Sequence, residues 1–262
     1  MKSRQLLSIY HYILIIFLLS PVAVVVLVSF TPQTYLQVPL TKFSTRWYRS
    51  ILNHPEFISA FFNSLYLAIT VSLVSAPLGT LGSFAVARYR FSGREFLNTL
   101  FLSPLMVPMV VIGVGALQIL SIFHVAGTFL GMVLAHVVIT VPYMVRTMLA
   151  SFAGFDHNLE LAAMNLGANW FQTFRRITLP LVSPGLLAGA IFSFIVSFDD
   201  LTVALFVTGP RMVTLPIRIY AHIEYYTDPL VAAIASSIVG MTIIVIMTIE
   251  KLVGLNKVLG SR

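Results

Sequence analysis

Six apolar runs, each about as long as the hydrocarbon core of a bilayer is thick, constrain this chain more than any other feature. They occupy residues 12–30, 64–87, 97–120, 128–145, 186–207 and 230–249. About 20 apolar residues in a helix cross a membrane, and in lipid a single segment satisfies its own backbone polar groups only as a helix. The expected fold class is therefore an all-α polytopic membrane protein, with one transmembrane domain over residues 1–262. Only 10% of the residues are charged, against about a quarter in soluble domains. The net charge of +7 comes from Lys and Arg scattered between the apolar runs. That pattern is explained by membrane topology rather than by nucleic acid. There is no cysteine, which excludes disulfides and cysteine metal sites.

The first run follows Lys2 and Arg4 and has the layout of a secretory signal. It is longer than the usual apolar region of about 7–15 residues, and no small-x-small cleavage site follows it. An uncleaved first span is the expectation. Residues 31–60 contain Pro32, Pro39 and Pro55 among aromatic and polar residues, which predicts an external loop with a short helix. Six spans put both termini on one side of the membrane. If that side is the cytoplasm, the inner segments hold Lys2, Arg4, Arg88, Arg90, Arg94, Arg146, Arg175, Arg176, Lys251, Lys257 and Arg262, and the outer ones only Lys42, Arg46, Arg49, Arg211 and Arg218. Basic residues concentrate on the cytoplasmic side, so cytoplasmic termini are expected.

The longest polar stretch, residues 155–180, is then cytoplasmic as well. Leu159, Ala162, Ala163 and Leu166 share one face at helical spacing, with Asp156 as N-cap, which predicts a short amphipathic helix ended by Gly167. Asn169 is placed to cap a second short helix from Trp170 to about Ile177, with Pro180 terminating it. Leu161 and Met164 lie on the opposite face from Leu159. An apolar patch left exposed on such a helix calls for a protein partner; burial of both faces within the subunit is the alternative.

Ala162-Ala163, then Gly167, then Ile177-Thr178-Leu179-Pro180 resembles the cytoplasmic loop signature of bacterial ATP-binding-cassette importer permeases, E-A-A, three residues, G, nine residues, I-x-L-P. One residue departs from it: Leu161 stands at the glutamate position, and Glu160 lies one residue earlier. Further stretches resemble the spermidine/putrescine branch of that family. They are Phe43-Ser44-Thr45-Arg46-Trp47-Tyr48, Arg88-Tyr89-Arg90-Phe91-Ser92-Gly93, Ser197-Phe198-Asp199-Asp200, Phe206-Val207-Thr208-Gly209-Pro210 and Leu215-Pro216-Ile217-Arg218-Ile219-Tyr220. Permeases for aminoethylphosphonate, opines and ferric iron look alike in this region.

The resemblance implies a six-helix type I importer domain of the MetI-like fold in the bacterial inner membrane. It implies pairing with a second, homologous permease subunit, a dimer of ATP-binding subunits below, and a periplasmic or extracellular solute-binding protein outside. By that likeness the coupling set is Glu160, Leu161, Ala162, Ala163, Met164, Gly167, Ile177, Leu179 and Pro180. The chain lacks a G-x-x-x-x-G-K-[ST] phosphate loop. ATP and Mg are expected on the partner ATPase, with no cofactor held here and no enzyme activity in this chain. A secondary transporter or channel accounts for the spans but not for the spaced loop, and the absence of H-E-x-x-H or a nucleophile motif disfavours a membrane enzyme.

Within the spans, Pro77, Gly79, Gly82, Pro104, Pro108, Gly113, Gly115, Ser236, Ser237 and Gly240 read as packing residues that kink helices or let them approach. His136 reads as a satisfied packing residue, with a proton relay as the alternative. Asp199 and Asp200 fall inside the fifth run, where each ionised carboxylate costs about 2.5–3.5 kcal/mol unless paired or wetted. Two readings stand. Either they pair with neighbouring helices or sit at a helix end shorter than the run, or they line a water-filled pathway and stabilise a passing di- or polyamine. In the second reading Tyr220 and Glu224, with Tyr225, Tyr226 and Asp228, belong to the outer mouth. For Tyr225 and Tyr226 an interfacial aromatic belt is the alternative.

Overall fold

A computed structural model describes residues 2–37, 39 and 42–253. Lys257 and Arg262, used in the topology count, lie outside the described residues, as do the side chains of Lys2, Arg4 and Lys251. Among the described residues there is no strand. The elements are α1 (Lys2–Val28), α2 (Arg46–Ile51), α3 (Pro55–Arg88), α4 (Arg94–Leu102), a 3-10 turn (Ser103–Met106), α5 (Met109–Ile122) and α6 (Phe129–Ala153). Then follow α7 (Asn158–Asn165), α8 (Trp170–Thr173), a π turn (Phe174–Thr178), α9 (Leu179–Asp199), α10 (Thr202–Val207), α11 (Leu215–Tyr225) and α12 (Leu230–Val253).

The chain forms two compact units, one of Met1–Ile58 with Ile219–Arg262 and one of Ser59–Arg218. In the first, α1 and α2 pack on α12. Buried Trp47 donates from Nε1 to the Gln33 carbonyl at 3.1 Å, and Tyr48 OH meets Ser29 Oγ at 2.6 Å. These bonds tie the segment after α1 back to the end of that helix. The apolar side chains of α1 from Ile13 to Leu19 stay exposed, as a lipid-facing helix requires.

The second unit is built on α3, α6 and α9. Leu67 and Val71 of α3 share a core with Met132, Val133, Ala135 and Ile139 of α6, Leu120 of α5, and Val203 and Val207 of α10. A second cluster joins Met144 and Met148 of α6 to Val182 of α9. In lipid the hydrophobic effect does not drive helices together, so close packing and interhelical hydrogen bonds must do it. Both are present. Ser75 Oγ meets Thr140 Oγ1 at 2.8 Å, Ser72 Oγ donates to the Ala190 carbonyl at 2.9 Å, and Ser83 Oγ to the Val145 carbonyl at 3.2 Å. Gly185 and Gly189, one turn apart on α9, abut α6 so closely that a Cβ on Gly185 would overlap Ser151, and one on Gly189 would overlap Met144 and Thr147.

Several boundaries differ from the sequence expectation: α3 begins at Pro55, within the stretch expected as an external loop, α6 runs on to Ala153, and α8 ends at Thr173. The third run is two helices, α4 and α5, bent by 109°. Pro108 drives Val107 into an extended conformation (φ −96°, ψ 134°), which a residue before proline prefers, and so breaks the helix rather than kinking it. The fifth run ends as a helix at Asp199, and residues 202–207 form the separate helix α10. Pro180, expected to stop the second loop helix, instead lies in the first turn of α9, where its missing N–H costs nothing. The wider π turn just before it carries the chain on, at the place where a proline would otherwise clash with the preceding turn.

Candidate functional site: the loop between α6 and α9

The loop is held from inside by polar groups and rings, and it shows apolar side chains outside. Asp156 is not the N-cap expected from sequence: His157 stands at that position, and Asp156 Oδ1 accepts from the Asn158 N–H at 2.9 Å in the turn just before α7. Gly167 ends α7 with φ +91°; Ala168 N–H reaches the Ala163 carbonyl at 3.0 Å, and Gly167 N–H the Met164 carbonyl at 3.0 Å. This pair of bonds is the Schellman ending, whose left-handed residue favours glycine. Asn169 begins α8 with a reciprocal capping box: its Oδ1 accepts from Gln172 N–H at 2.9 Å, and Gln172 Oε1 from Asn169 N–H at 3.0 Å.

Glu160 is buried. Its Oε1 accepts from Thr178 Oγ1 in the π turn at 2.5 Å, and its Oε2 pairs with Arg88 Nη2 at the end of α3 and lies 3.2 Å from His157 Nδ1. Trp170 and Phe174 stack at 5.8 Å, and Phe84 of α3 meets Phe174 edge-on at 5.2 Å and Phe152 of α6 at 5.8 Å. The inward side of α7 is thus Glu160 with half-buried Ala163, rather than the stripe Leu159, Ala162, Ala163 and Leu166. Leu159, Leu161 and Met164 are each nearly half exposed and Leu166 is 89% exposed. The anchored carboxylate sets the roll of the helix and turns both leucine edges outward. Of the remaining loop residues, Ile177 and Leu179 are half-buried, and Ala162 and Pro180 exposed.

Asp199 and Asp200 stand where α9 ends. Asp199 is exposed and makes no hydrogen bond or ion pair among the described residues. Asp200 is half-buried and serves α10: Oδ2 accepts from the Ala204 N–H at 2.8 Å and Oδ1 from the Val203 N–H at 3.4 Å. His136, fully buried, lies 3.8 Å from Asp200 Oδ2 through Nε2 and meets Ser197 Oγ through Nδ1 at 3.0 Å. Tyr220 and Glu224 are exposed on α11 in the other unit, and His222 of that helix bonds Asp228 at 3.1 Å.

Reading by sequence missed Arg88 and Thr178 as partners of Glu160, and the ring cluster around Phe84. Thr178 is the variable position of Ile177-Thr178-Leu179-Pro180, and Arg88 carried no signal beyond its charge and its place in a family-like stretch. It also missed Gly185 and Gly189, although their four-residue spacing of small residues was a readable packing signal.

Residues 78–253 match the model of the family described as the binding-protein-dependent transport system inner membrane component. The chain is similar to the spermidine/putrescine transport system permease protein PotC of Escherichia coli K12, 28% identical over 261 residues, with 100% of this chain and 96% of that protein covered. It is 32% identical over 231 residues to the putrescine transport system permease protein PotI of the same strain, covering 86% of this chain and 82% of that one. Similarity extends to the sulfate transport system permease protein CysT of Salmonella typhimurium, 28% identical over 246 residues, covering 87% and 88%. In fold it resembles a bacterial ABC transporter involved in the import of the acidic polysaccharide alginate, with TM-score 0.72 and 97% of both chains covered at 15% identity. The chain therefore belongs to the binding-protein-dependent transport system inner membrane components, as a permease subunit of an ATP-binding-cassette importer rather than an enzyme.

Proposed function

We propose that this chain, as a single permease domain, forms half of the pathway through which a polyamine enters a bacterial cell, the other half coming from a second, homologous permease subunit among the membrane lipids. ATP and Mg act on the partner ATPase. Its stroke reaches this chain through the 155–180 loop, where Leu161 and Met164 present the apolar face for docking. The observation that carries the coupling role is this face: Leu161 and Met164 stand side by side, each nearly half exposed, on a short helix whose inner side is already satisfied by Glu160. Rigid-body rocking of the helices would then switch the pathway between its two openings.

The cargo reading rests on relatives named for spermidine and putrescine together with Asp199, an exposed carboxylate at a helix end with no partner among the described residues. A carboxylate suits ammonium groups and repels sulfate, the cargo named for a relative of the same identity over a shorter match. Asp200 holds the break in place beside it; Tyr220 and Glu224, an aromatic and an acidic side chain suited to ammonium groups, are proposed on sequence grounds for the outer mouth. In proteoliposomes containing the complete transporter and its binding protein, labelled spermidine or putrescine should accumulate and sulfate should not. Asp199→Asn should lower that uptake about tenfold, the loss of roughly 1.4 kcal/mol of electrostatic stabilisation, without lowering ATP hydrolysis. Sulfate uptake, or undiminished polyamine uptake by the Asp199→Asn and Asp200→Asn double variant, would defeat the assignment.

The distribution of basic residues supports a cytoplasmic position for the termini and the loop. Leu166→Cys introduces a single thiol at a fully accessible loop position. It should react with an impermeant maleimide only after the cells are permeabilised. Labelling in intact cells would reverse the topology.

A further inference from the structure

Glu160 joins three segments at one side chain, and it supplies the polar tie between α7 and α3 beside the ring contacts that Phe84 makes with Phe174. One carboxylate receives Arg88 from the end of α3 and Thr178 from the π turn at the root of α9, while being carried by α7 itself. The end of α3 is in turn fixed, because Arg94 Nε donates to the Val86 carbonyl at 2.7 Å across the α3–α4 turn. Among the described residues no other hydrogen bond or ion pair joins α7 to α3. Glu160 is 5% exposed, so both its oxygens are spent within this unit and the side chain offers nothing to a docking partner. α3 and α9 are two of the three helices stitched together in the core of the unit.

From this geometry we infer that Arg88, Glu160 and Thr178 are positioning residues that deliver displacement of α7 to α3 and α9. The inference rests on the coupling role proposed for the loop. It assigns Glu160 to transmission inside the subunit, and leaves docking to the exposed apolar face. An ion pair and a hydrogen bond at a buried site resist shear as well as separation, which an apolar contact does poorly. The carboxylate is therefore suited to make α7 and the two membrane helices move as one body.

The test uses the full transporter with its ATPase and binding protein in proteoliposomes, with spermidine uptake and ATP hydrolysis measured together. Glu160→Gln and Arg88→Gln should each lower uptake per ATP by about fivefold while the ATPase still co-purifies, and the charge-swapped pair Arg88→Glu with Glu160→Arg should recover most of it, as coupled residues do. Thr178→Ser should behave as wild type and Thr178→Val should not. If Arg88→Gln fails to accumulate in the membrane, the Thr178 pair carries the test, since it removes only one hydrogen bond. A readout independent of cargo is the distance between spin labels at Asn165→Cys and Arg90→Cys, which should be narrowly distributed and should broaden with Glu160→Gln. An unchanged distance distribution, unchanged uptake per ATP in both single variants, or a charge swap no better than either single variant would overturn the inference. Loss of the ATPase from Glu160→Gln on purification would place Glu160 in the docking contact and overturn it too. If Leu161→Asp uncouples transport while these variants do not, the inference fails and the coupling role stands. Normal transport by Leu161→Asp would remove the coupling role itself.

Discussion

Leu161→Asp is expected to abolish solute uptake by the assembled transporter while the subunit remains inserted at normal abundance. Leu161 is 46% exposed, on the face of α7 that nothing in its own unit covers. A carboxylate there stays hydrated and costs little in the free subunit. When the face is covered by a partner, the same charge becomes buried and unpaired, at about 3 kcal/mol or more, which is roughly a hundredfold in docking affinity. ATP hydrolysis stimulated by the binding protein should fall with uptake, and pull-down of the ATPase should weaken. Leu161→Met, which keeps an apolar side chain of similar volume, should transport normally. Loss of the Asp variant from the membrane would show instead that Leu161 is packed within the subunit.

Gly189→Leu should have the larger effect on the fold itself. Its Cβ would overlap Met144 and Thr147 of α6, and Gly185 one turn earlier is closed in the same way by Ser151. Met144 cannot retreat easily, because it is buried and part of the Val182 cluster. Extra methylenes forced into a packed contact cost about 1–3 kcal/mol, and more where backbone must separate. Loss of the α6–α9 contact would also disturb the hydrogen bonds from Ser72 and His136 to α9. The expected result is poor membrane accumulation and a melting temperature in detergent lower by several degrees. Gly115→Leu is the control, since nothing lies within 4 Å of a Cβ there. A Gly189→Leu subunit that melts with the wild type would refute the close crossing.

Much of this was readable from local pattern. Apolar runs of span length marked α1, α3, α6 and α12, because hydropathy over one bilayer thickness depends on a continuous window of chain. Caps were equally local: Asn169 and Gly167 act on backbone groups within one turn of themselves, and both do what their residue types suggest. The spacing from Ala162 to Pro180 carried the family, and residues 78–253 do belong to it.

Other features were decided only when distant segments met. The roll of α7 could not be read from Leu159, Ala162, Ala163 and Leu166, whose spacing predicts an inward stripe, because Glu160 finds Arg88 and Thr178 on that side. A buried, paired carboxylate is held more strongly than a leucine that can be covered later by a partner. Pro108 and Pro180 are the same residue type with opposite outcomes. One breaks a helix where its predecessor can turn extended, and the other opens a helix that a π turn has already widened. Asp199 and Asp200 look identical as neighbours in sequence, yet Asp200 caps α10 beside His136 while Asp199 stays without a partner among the described residues. Sequence determines which stretches become long apolar helices and where the caps at Asn169 and Gly167 fall, since both depend on nearest neighbours along the chain. Tertiary structure decides which charge is spent inside and which stays unpaired among the described residues, since that depends on what another helix brings within hydrogen-bonding distance.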